Sequence, residues 1–114
     1  DNHILACGNL NSAMTKIIKK RIKTPIEVEV KFLNQVEEAL KFKIKRIMLD
    51  NFSISNIKKA ILMIRKSPGV EIEVSGGIDK TKIKNISHLD IDYISVGALT
   101  HSSPSIDISM NVLK

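Results

Sequence analysis

The sequence predicts an α/β fold of repeated β-α units whose strands run parallel. Three observations carry that expectation. Short apolar runs alternate with amphipathic stretches at intervals of about 20 to 25 residues, the spacing of right-handed β-α-β crossovers. Each run ends in a polar or glycine motif: Glu27-Val28-Glu29-Val30, Met48-Leu49-Asp50-Asn51, Glu73-Val74-Ser75-Gly76-Gly77 and Ser95-Val96-Gly97-Ala98-Leu99-Thr100. Finally, 114 residues make at most one domain, and four clear strands fall short of the about eight that close a barrel. The units should therefore form a parallel α/β sheet that does not close on itself.

Each element has its own local signal. The run 4–6 is a candidate fifth strand, cut short. Asn9 or Asn11 caps a helix over 12–21, with Ala13, Ile17 and Ile18 on its buried side. Thr24-Pro25 stops it, and a strand follows over 26–30. The second helix, 33–42, puts Val36, Ala39 and Leu40 on one face and turns Glu37 and Glu38 outward. The dense apolar run 44–49 is a strand expected to be buried on both faces. Ser53 or Ser55 caps a third helix reaching 66, which Ser67-Pro68-Gly69 ends. A strand over 70–74, a short helix over 81–86 and a last strand over 93–96 follow, with a turn or helix after Ser102.

Composition narrows the function. No apolar stretch approaches the ~18 residues of a spanning helix, and the first residues lack a basic leader, so a cytoplasmic protein without a membrane partner is expected. The single cysteine, Cys7, excludes an internal disulfide and a cysteine-based zinc cluster. Of 18 basic residues only Arg21, Arg46 and Arg65 are arginine, and Lys, Ile and Asn are heavily used throughout. That pattern is the mark of A/T-rich codons, which makes much of the net charge of +6 solvated surface. A small anionic substrate accounts for it as well. Nucleic acid is not an expected partner, because one Tyr, three Phe and no Trp leave little to stack on bases.

Parallel strands gather their carboxyl ends on one face, where α/β barrels and open sheets keep their chemistry. Glu29 and Asp50 end successive strands there, and carboxylates at that place are costly to bury without a ligand, cation or donor. Glu27, two residues before Glu29, is expected to pair with a lysine. Ser75-Gly76-Gly77 and Gly97-Ala98 follow the last two strands, where glycines let backbone N–H groups approach phosphate oxygens. Lys80 and Lys82 could add charge near that site but read more readily as surface residues. His101 could meet either a phosphate or a loop carbonyl, and His3 is a candidate at the same mouth, on the first strand. His88 is expected to be exposed, and the three histidines show no transition-metal spacing.

Taken together the motifs resemble the quinolinate phosphoribosyltransferase family, the decarboxylating nicotinate-nucleotide pyrophosphorylases. The matching segments are Asp1-Asn2-His3-Ile4, Glu27-Val28-Glu29-Val30, Leu49-Asp50-Asn51-Phe52, Ser75-Gly76-Gly77-Ile78, Val96-Gly97-Ala98-Leu99-Thr100-His101-Ser102 and Asp107-Ile108. Family members are more than twice this long, so residues 1–114 resemble their C-terminal portion, the later part of an incomplete TIM-like α/β barrel. The resemblance implies that quinolinate and phosphoribosyl pyrophosphate, with Mg²⁺, give nicotinate mononucleotide, pyrophosphate and CO₂. It implies that Glu29 and Asp50 hold the ribose hydroxyls, directly or through Mg²⁺, and offset charge developing at the anomeric carbon. Ser75, Gly76, Gly77, Val96, Gly97 and Ala98 would bind the 5′-phosphate, with His101 and His3 as further substrate contacts. A homodimer or higher homo-oligomer is implied too, because one quinolinate-gripping arginine of the family comes from a partner.

Departures from the family pattern are equally informative. The lysine that precedes the Asp-Asn-His motif, and the residues that grip quinolinate, lie upstream of Asp1, so the isolated chain is expected to be inactive. Lys43 and Asp90 stand where many relatives carry a helix-ending glycine, so those turns are expected to differ. Two rivals share the motifs: a sister phosphoribosyltransferase acting on another base, as in molybdenum utilisation, and a non-catalytic phosphate-binding fragment. An isolated half-barrel would expose sheet edges and apolar helix faces, and should need more chain or a second copy.

Overall fold

Alternation within the apolar runs decides the architecture, because successive strand residues point to opposite faces. In the computed structural model, which describes residues 2–20, 23–100 and 110, the strands are Glu27–Val30 (β1), Arg46–Asp50 (β2), Glu71–Ser75 (β3) and Tyr93–Ile94 (β4). They pair in parallel and in chain order, β1-β2-β3-β4, so β1 and β4 stand at the sheet edges. Val28 faces Ile47 and Ile47 faces Ile72; Val30 lies level with Leu49, Val74 and Ile94. This row is the buried face. Val28 is the most accessible of its β1–β3 members at 4%.

The helices are Asn2–Cys7 (α1), Leu10–Lys19 (α2), Leu33–Ala39 (α3), Ile54–Ile64 (α4) and Lys80–Ile86 (α5). Leu10 and Met14 of α2, Val36 and Ala39 of α3, Ile57, Ala60 and Ile64 of α4, and Ile86 of α5 join the buried strand residues in one core. Fully burying an Ile or Val side chain contributes roughly 1.5–3 kcal/mol, so this face supplies most of the stabilisation. Three helices are capped by side chains. Asn9 Oδ1 accepts from Ser12 N at 2.8 Å, Ser53 Oγ from Asn56 N at 3.2 Å, and Asp79 Oδ1 from Lys82 N at 2.6 Å. The fourth start is unusual: Phe32 occupies the N-cap and has no side-chain acceptor. Gln35 Oε1 reaches back instead, accepting from Lys31 N at 2.8 Å and Phe32 N at 3.2 Å.

Several expectations need correction. Residues 4–6 are helical, inside α1, not a strand. The apolar run there is three residues long, Leu and Ala favour helix, and Gly8 ends the turn by donating to Leu5 O at 3.1 Å. α2 starts at Leu10, two residues earlier than expected; its buried stripe is Leu10, Ala13 and Met14, with Ile17 partly buried against the core, while Ile18 is 55% exposed. α3 stops at Ala39, with Leu40 half-buried as its C-cap. Glu38 is half-buried, because its Oε1 accepts from Asn11 N at 3.1 Å. The run 44–49 is not buried on both faces, since Arg46 and Met48 are partly exposed on the side away from the helices.

Asn51 is the one non-glycine residue at positive φ among those described. Lys43 and Asp90 therefore turn without the left-handed conformation that a glycine would supply. Asp90 accepts from Arg65 Nε at 2.7 Å, and Arg65 also donates to Asp92 at 2.9 Å and to Val70 O at 3.2 Å, tying the end of α4 to both neighbouring strands. The expected element after Ser102, His101 and the segment Asp107-Ile108 lie outside the described residues. No helix among the described residues is long and apolar enough to cross a membrane.

Candidate functional site at the carboxyl ends of the strands

The face opposite the helices carries Glu27, Arg46 and Glu71 at one level, and Glu29, Met48, Glu73 and Tyr93 at the next. Asp50 and Ser75 pair at the carboxyl ends of β2 and β3. Glu29 is in register with Met48, two residues before Asp50, so both carboxylates point to this face, Asp50 nearer the mouth. Both side chains are half-buried. The structure thus brings together Glu29, Asp50 and Ser75 at neighbouring strand ends, as expected.

The turn after β3 has a packing reason for glycine as well. Gly76 has φ +79° and Gly77 φ +56°. A Cβ on Gly76 would stand 2.5 Å from Asn51 Cγ and 2.7 Å from Asn51 N. The close approach that Gly76 permits is therefore to Asn51 of the same protein. Asn51 N donates to Ser75 O at 3.0 Å, and Asn51 Nδ2 donates to Asp50 Oδ1 at 3.1 Å. Lys82 Nζ donates to Gly76 O at 2.9 Å, so this lysine is half-buried and belongs to the turn. Neither Asn51 nor Lys82 stood among the expected site residues. Asn directly after a strand-ending Asp was the available signal, since Asn is among the few side-chain-bearing residues that readily adopt the left-handed region.

After β4, Ser95 N donates to Val74 O at 3.0 Å and extends the ladder past the strand. Val96 is half-buried, and Gly97 and Ala98 are exposed in a short 3-10 turn over Gly97–Leu99. Thr100 Oγ1 closes it by donating to Gly97 O at 2.8 Å. A Cβ on Gly97 would meet nothing within 4 Å, so no packing among the described residues demands glycine there. His3 lies on α1, exposed, and lines a cavity of about 420 Å³ shared with Cys7, Lys16, Lys20, Glu27 and Glu29. It therefore reaches the neighbourhood of Glu29 from a helix rather than from a strand. His88 is exposed, as expected.

Below the mouth sits an ion network centred on Arg46. Its Nη1 donates to Glu73 at 2.9 Å, and its Nε and Nη2 donate to one Glu71 oxygen at 3.1 and 3.0 Å. Its guanidinium carbon lies 3.8 Å from the centre of the Tyr93 ring. Glu27 pairs with Arg46 at 3.6 Å, not with a lysine. Ser95 Oγ donates to the second oxygen of Glu73. Hydrogen bonds from Lys45 and then Arg46 hold the Glu71 carboxyl below its ordinary range. Glu27 is pushed the other way, by burial first and by the charge of Glu73 second. The signal for this network was the Lys45-Arg46 pair at the start of a strand beside one that alternates Glu71-Ile72-Glu73.

Mg²⁺ prefers hard oxygen donors and often takes one or two carboxylates, leaving its other positions to water and phosphate. Glu29 and Asp50, on adjacent strand ends, fit that donor set. Among the described residues no group of three His, Cys, Asp or Glu side chains could hold a metal, so a closed protein cage is not what they offer.

Comparison with known proteins follows the same residues. The family model "Quinolinate phosphoribosyl transferase, C-terminal domain" matches residues 1–111. A probable nicotinate-nucleotide pyrophosphorylase [carboxylating] of Methanocaldococcus jannaschii is 38% identical over 119 residues, covering 100% of this chain and 42% of the relative. The protein of the same description from Archaeoglobus fulgidus is 36% identical over 117 residues, covering 100% of this chain and 45% of its own. Among solved structures, NadC from Streptococcus pyogenes superposes with a TM-score of 0.80 at 42% identity, covering 98% of this chain and 39% of that one. The chain thus spans less than half the length of these relatives.

Proposed function

Because the chain belongs to the family of the quinolinate phosphoribosyltransferase C-terminal domain, we propose that it carries the ribose-phosphate half of a site that transfers phosphoribose from phosphoribosyl pyrophosphate to quinolinate. The observation that carries this reading is the meeting of Glu29 and Asp50 with Ser75 and the Gly76-Gly77 turn at neighbouring strand ends. In this reading the pyridine nitrogen of quinolinate attacks the anomeric carbon, pyrophosphate leaves, and loss of CO₂ gives nicotinate mononucleotide in NAD biosynthesis.

Each side chain then has a defined task. Glu29 and Asp50 accept hydrogen bonds from the ribose hydroxyls, and their negative charge offsets the positive charge that grows on the ring as the bond to pyrophosphate breaks. Ser75, Gly76, Gly77, Val96, Gly97 and Ala98 hold the 5′-phosphate, with His3 and His101 as further contacts. Mg²⁺ would supply charge neutralisation for the departing pyrophosphate, with Glu29 and Asp50 as its protein ligands. No protein nucleophile is needed, since the rate gain comes from positioning and electrostatics. The reading carries with it a cytoplasmic enzyme and a homodimer or higher homo-oligomer. Recognition of the quinolinate carboxylates falls to chain beyond these 114 residues.

The test is binding of phosphoribosyl pyrophosphate with Mg²⁺ by calorimetry, together with quinolinate-dependent formation of nicotinate mononucleotide. Turnover is expected only when the chain is joined to an upstream part bringing it to the length of its relatives. Glu29→Ala and Asp50→Ala should each weaken binding. Binding that ignores both substitutions would leave a phosphate site without this chemistry.

A further inference from the structure

We propose that Asn51 is a positioning residue that locks the Asp50 carboxylate to the Gly76-Gly77 turn, so that a ribose 5-phosphate group meets a spacing fixed by the protein. The inference rests on the ribose-phosphate reading above and assigns a residue which that reading leaves without a task.

Four observations converge on this residue. Asn51 holds φ 56°, a left-handed conformation that costs a side-chain-bearing residue energy a glycine would not lose. Its Nδ2 donates to Asp50 Oδ1 at 3.1 Å, which fixes the rotation of the carboxylate. Its main-chain N–H reaches across to Ser75 O at 3.0 Å. Its carboxamide lies where a Gly76 Cβ would be, 2.5 Å from Cγ and from Oδ1, and its Oδ1 is 3.6 Å from the corresponding position of Gly77. One side chain therefore touches both the hydroxyl-binding and the phosphate-binding element. If the turn were the only requirement, glycine would serve better. An aspartate would accept the backbone conformation but would set a second negative charge beside Asp50 and the phosphate.

The experiment titrates the full chain with ribose 5-phosphate, following amide chemical shifts, for wild type, Asn51→Gly and Asn51→Asp. Amide hydrogen exchange at Gly76 and Gly77 is measured alongside. Asn51→Gly should fold as well as wild type yet bind about tenfold more weakly, the scale of a lost charge-assisted hydrogen bond. Asn51→Asp should bind more weakly still. Exchange at Gly76 and Gly77 should quicken in Asn51→Gly. Adding Asn51→Gly to Asp50→Ala should cost much less affinity than it does in wild type, because the two residues act together. Equal binding by Asn51→Gly and wild type overturns the proposal and leaves the ribose-phosphate reading standing. If wild type itself does not bind, that reading fails, and exchange decides the lock: faster exchange in Asn51→Gly supports it, unchanged exchange overturns it.

Discussion

Arg46 and Glu73 meet at 2.9 Å across β2 and β3, on a sheet face that carries four glutamates and one arginine. Glu73 is the one buried charged residue among those described, 6% exposed, and Arg46 and Ser95 each bond one of its oxygens. Burying a charge is tolerable only when it is paired and hydrogen-bonded.

Removing Arg46 should therefore hurt more than removing the pair. Arg46→Met leaves Glu73 charged and without its guanidinium, and the thermal midpoint should drop. Adding Glu73→Gln removes the stranded charge while keeping an acceptor for Ser95, and part of the loss should return. Differential scanning fluorimetry of the two variants decides it. A double variant no more stable than Arg46→Met would mean that the stranded charge of Glu73 is not what costs stability.

Acid should first stabilise and then destabilise the chain. Glu27 titrates above its ordinary 4.5, so its ionised form is disfavoured in the fold. Its contribution is fully present below 4.5 and is lost as pH rises through the raised value. Glu71 and Asp92 titrate below their ordinary 4.5 and 3.8, Asp92 chiefly because Ile72 N donates to it. Their contributions are present above those ordinary values and are lost as pH falls through the lowered ones. Urea midpoints across pH should show a shallow gain on approaching 4.5 from neutral, then a decline. Glu27→Gln should abolish the gain alone, and Asp92→Asn should blunt the decline.

Three glycines should answer differently to alanine. Gly69→Ala meets open space but keeps φ +84°, so its cost is the left-handed conformation, about 1–2 kcal/mol. Gly76→Ala adds a collision with the main chain of Asn51 and should cost more than Gly69→Ala. Gly97→Ala has neither penalty and should leave stability unchanged while weakening ribose 5-phosphate binding. Urea denaturation and phosphate titration of the three separate the effects. Strong destabilisation by Gly97→Ala would refute the assignment of that glycine to ligand approach.

Helix α4 should tolerate change on one side only. Ile64 is fully buried, and Ile64→Ala should cost about 2–5 kcal/mol. Leu62, 71% exposed on the same helix, should give Leu62→Ala within about 0.5 kcal/mol of wild type. Chemical denaturation reads both.

The parts of this structure legible in the sequence are those set by short-range periodicity. Alternation and spacing located β1 to β4 and helices α2 to α5, and the strand-end motifs placed Glu29, Asp50 and Ser75 at one mouth. What escaped depends on partners distant in the chain. Arg46, the first residue of its strand, shows its purpose only with Glu71 and Glu73 beside it. Lys82 looked like surface because nothing local announces that its ammonium returns to Gly76 O. The helix at α1 was missed because three apolar residues carry too little pattern to separate strand from helix. At Gly76 the close contact with Asn51, at the preceding strand's end, was not legible, because it depends on the fold.

Strand order equal to chain order also has a kinetic meaning. Glu27 to Arg46, Arg46 to Glu71, and Glu73 to Tyr93 each close a loop of about 20 to 25 residues. Among the described residues no strand pairing waits for a distant segment, so each unit can add to the one before it. Assembly should proceed like a zip rather than through a single late collapse, with β1 and β2 as its first teeth.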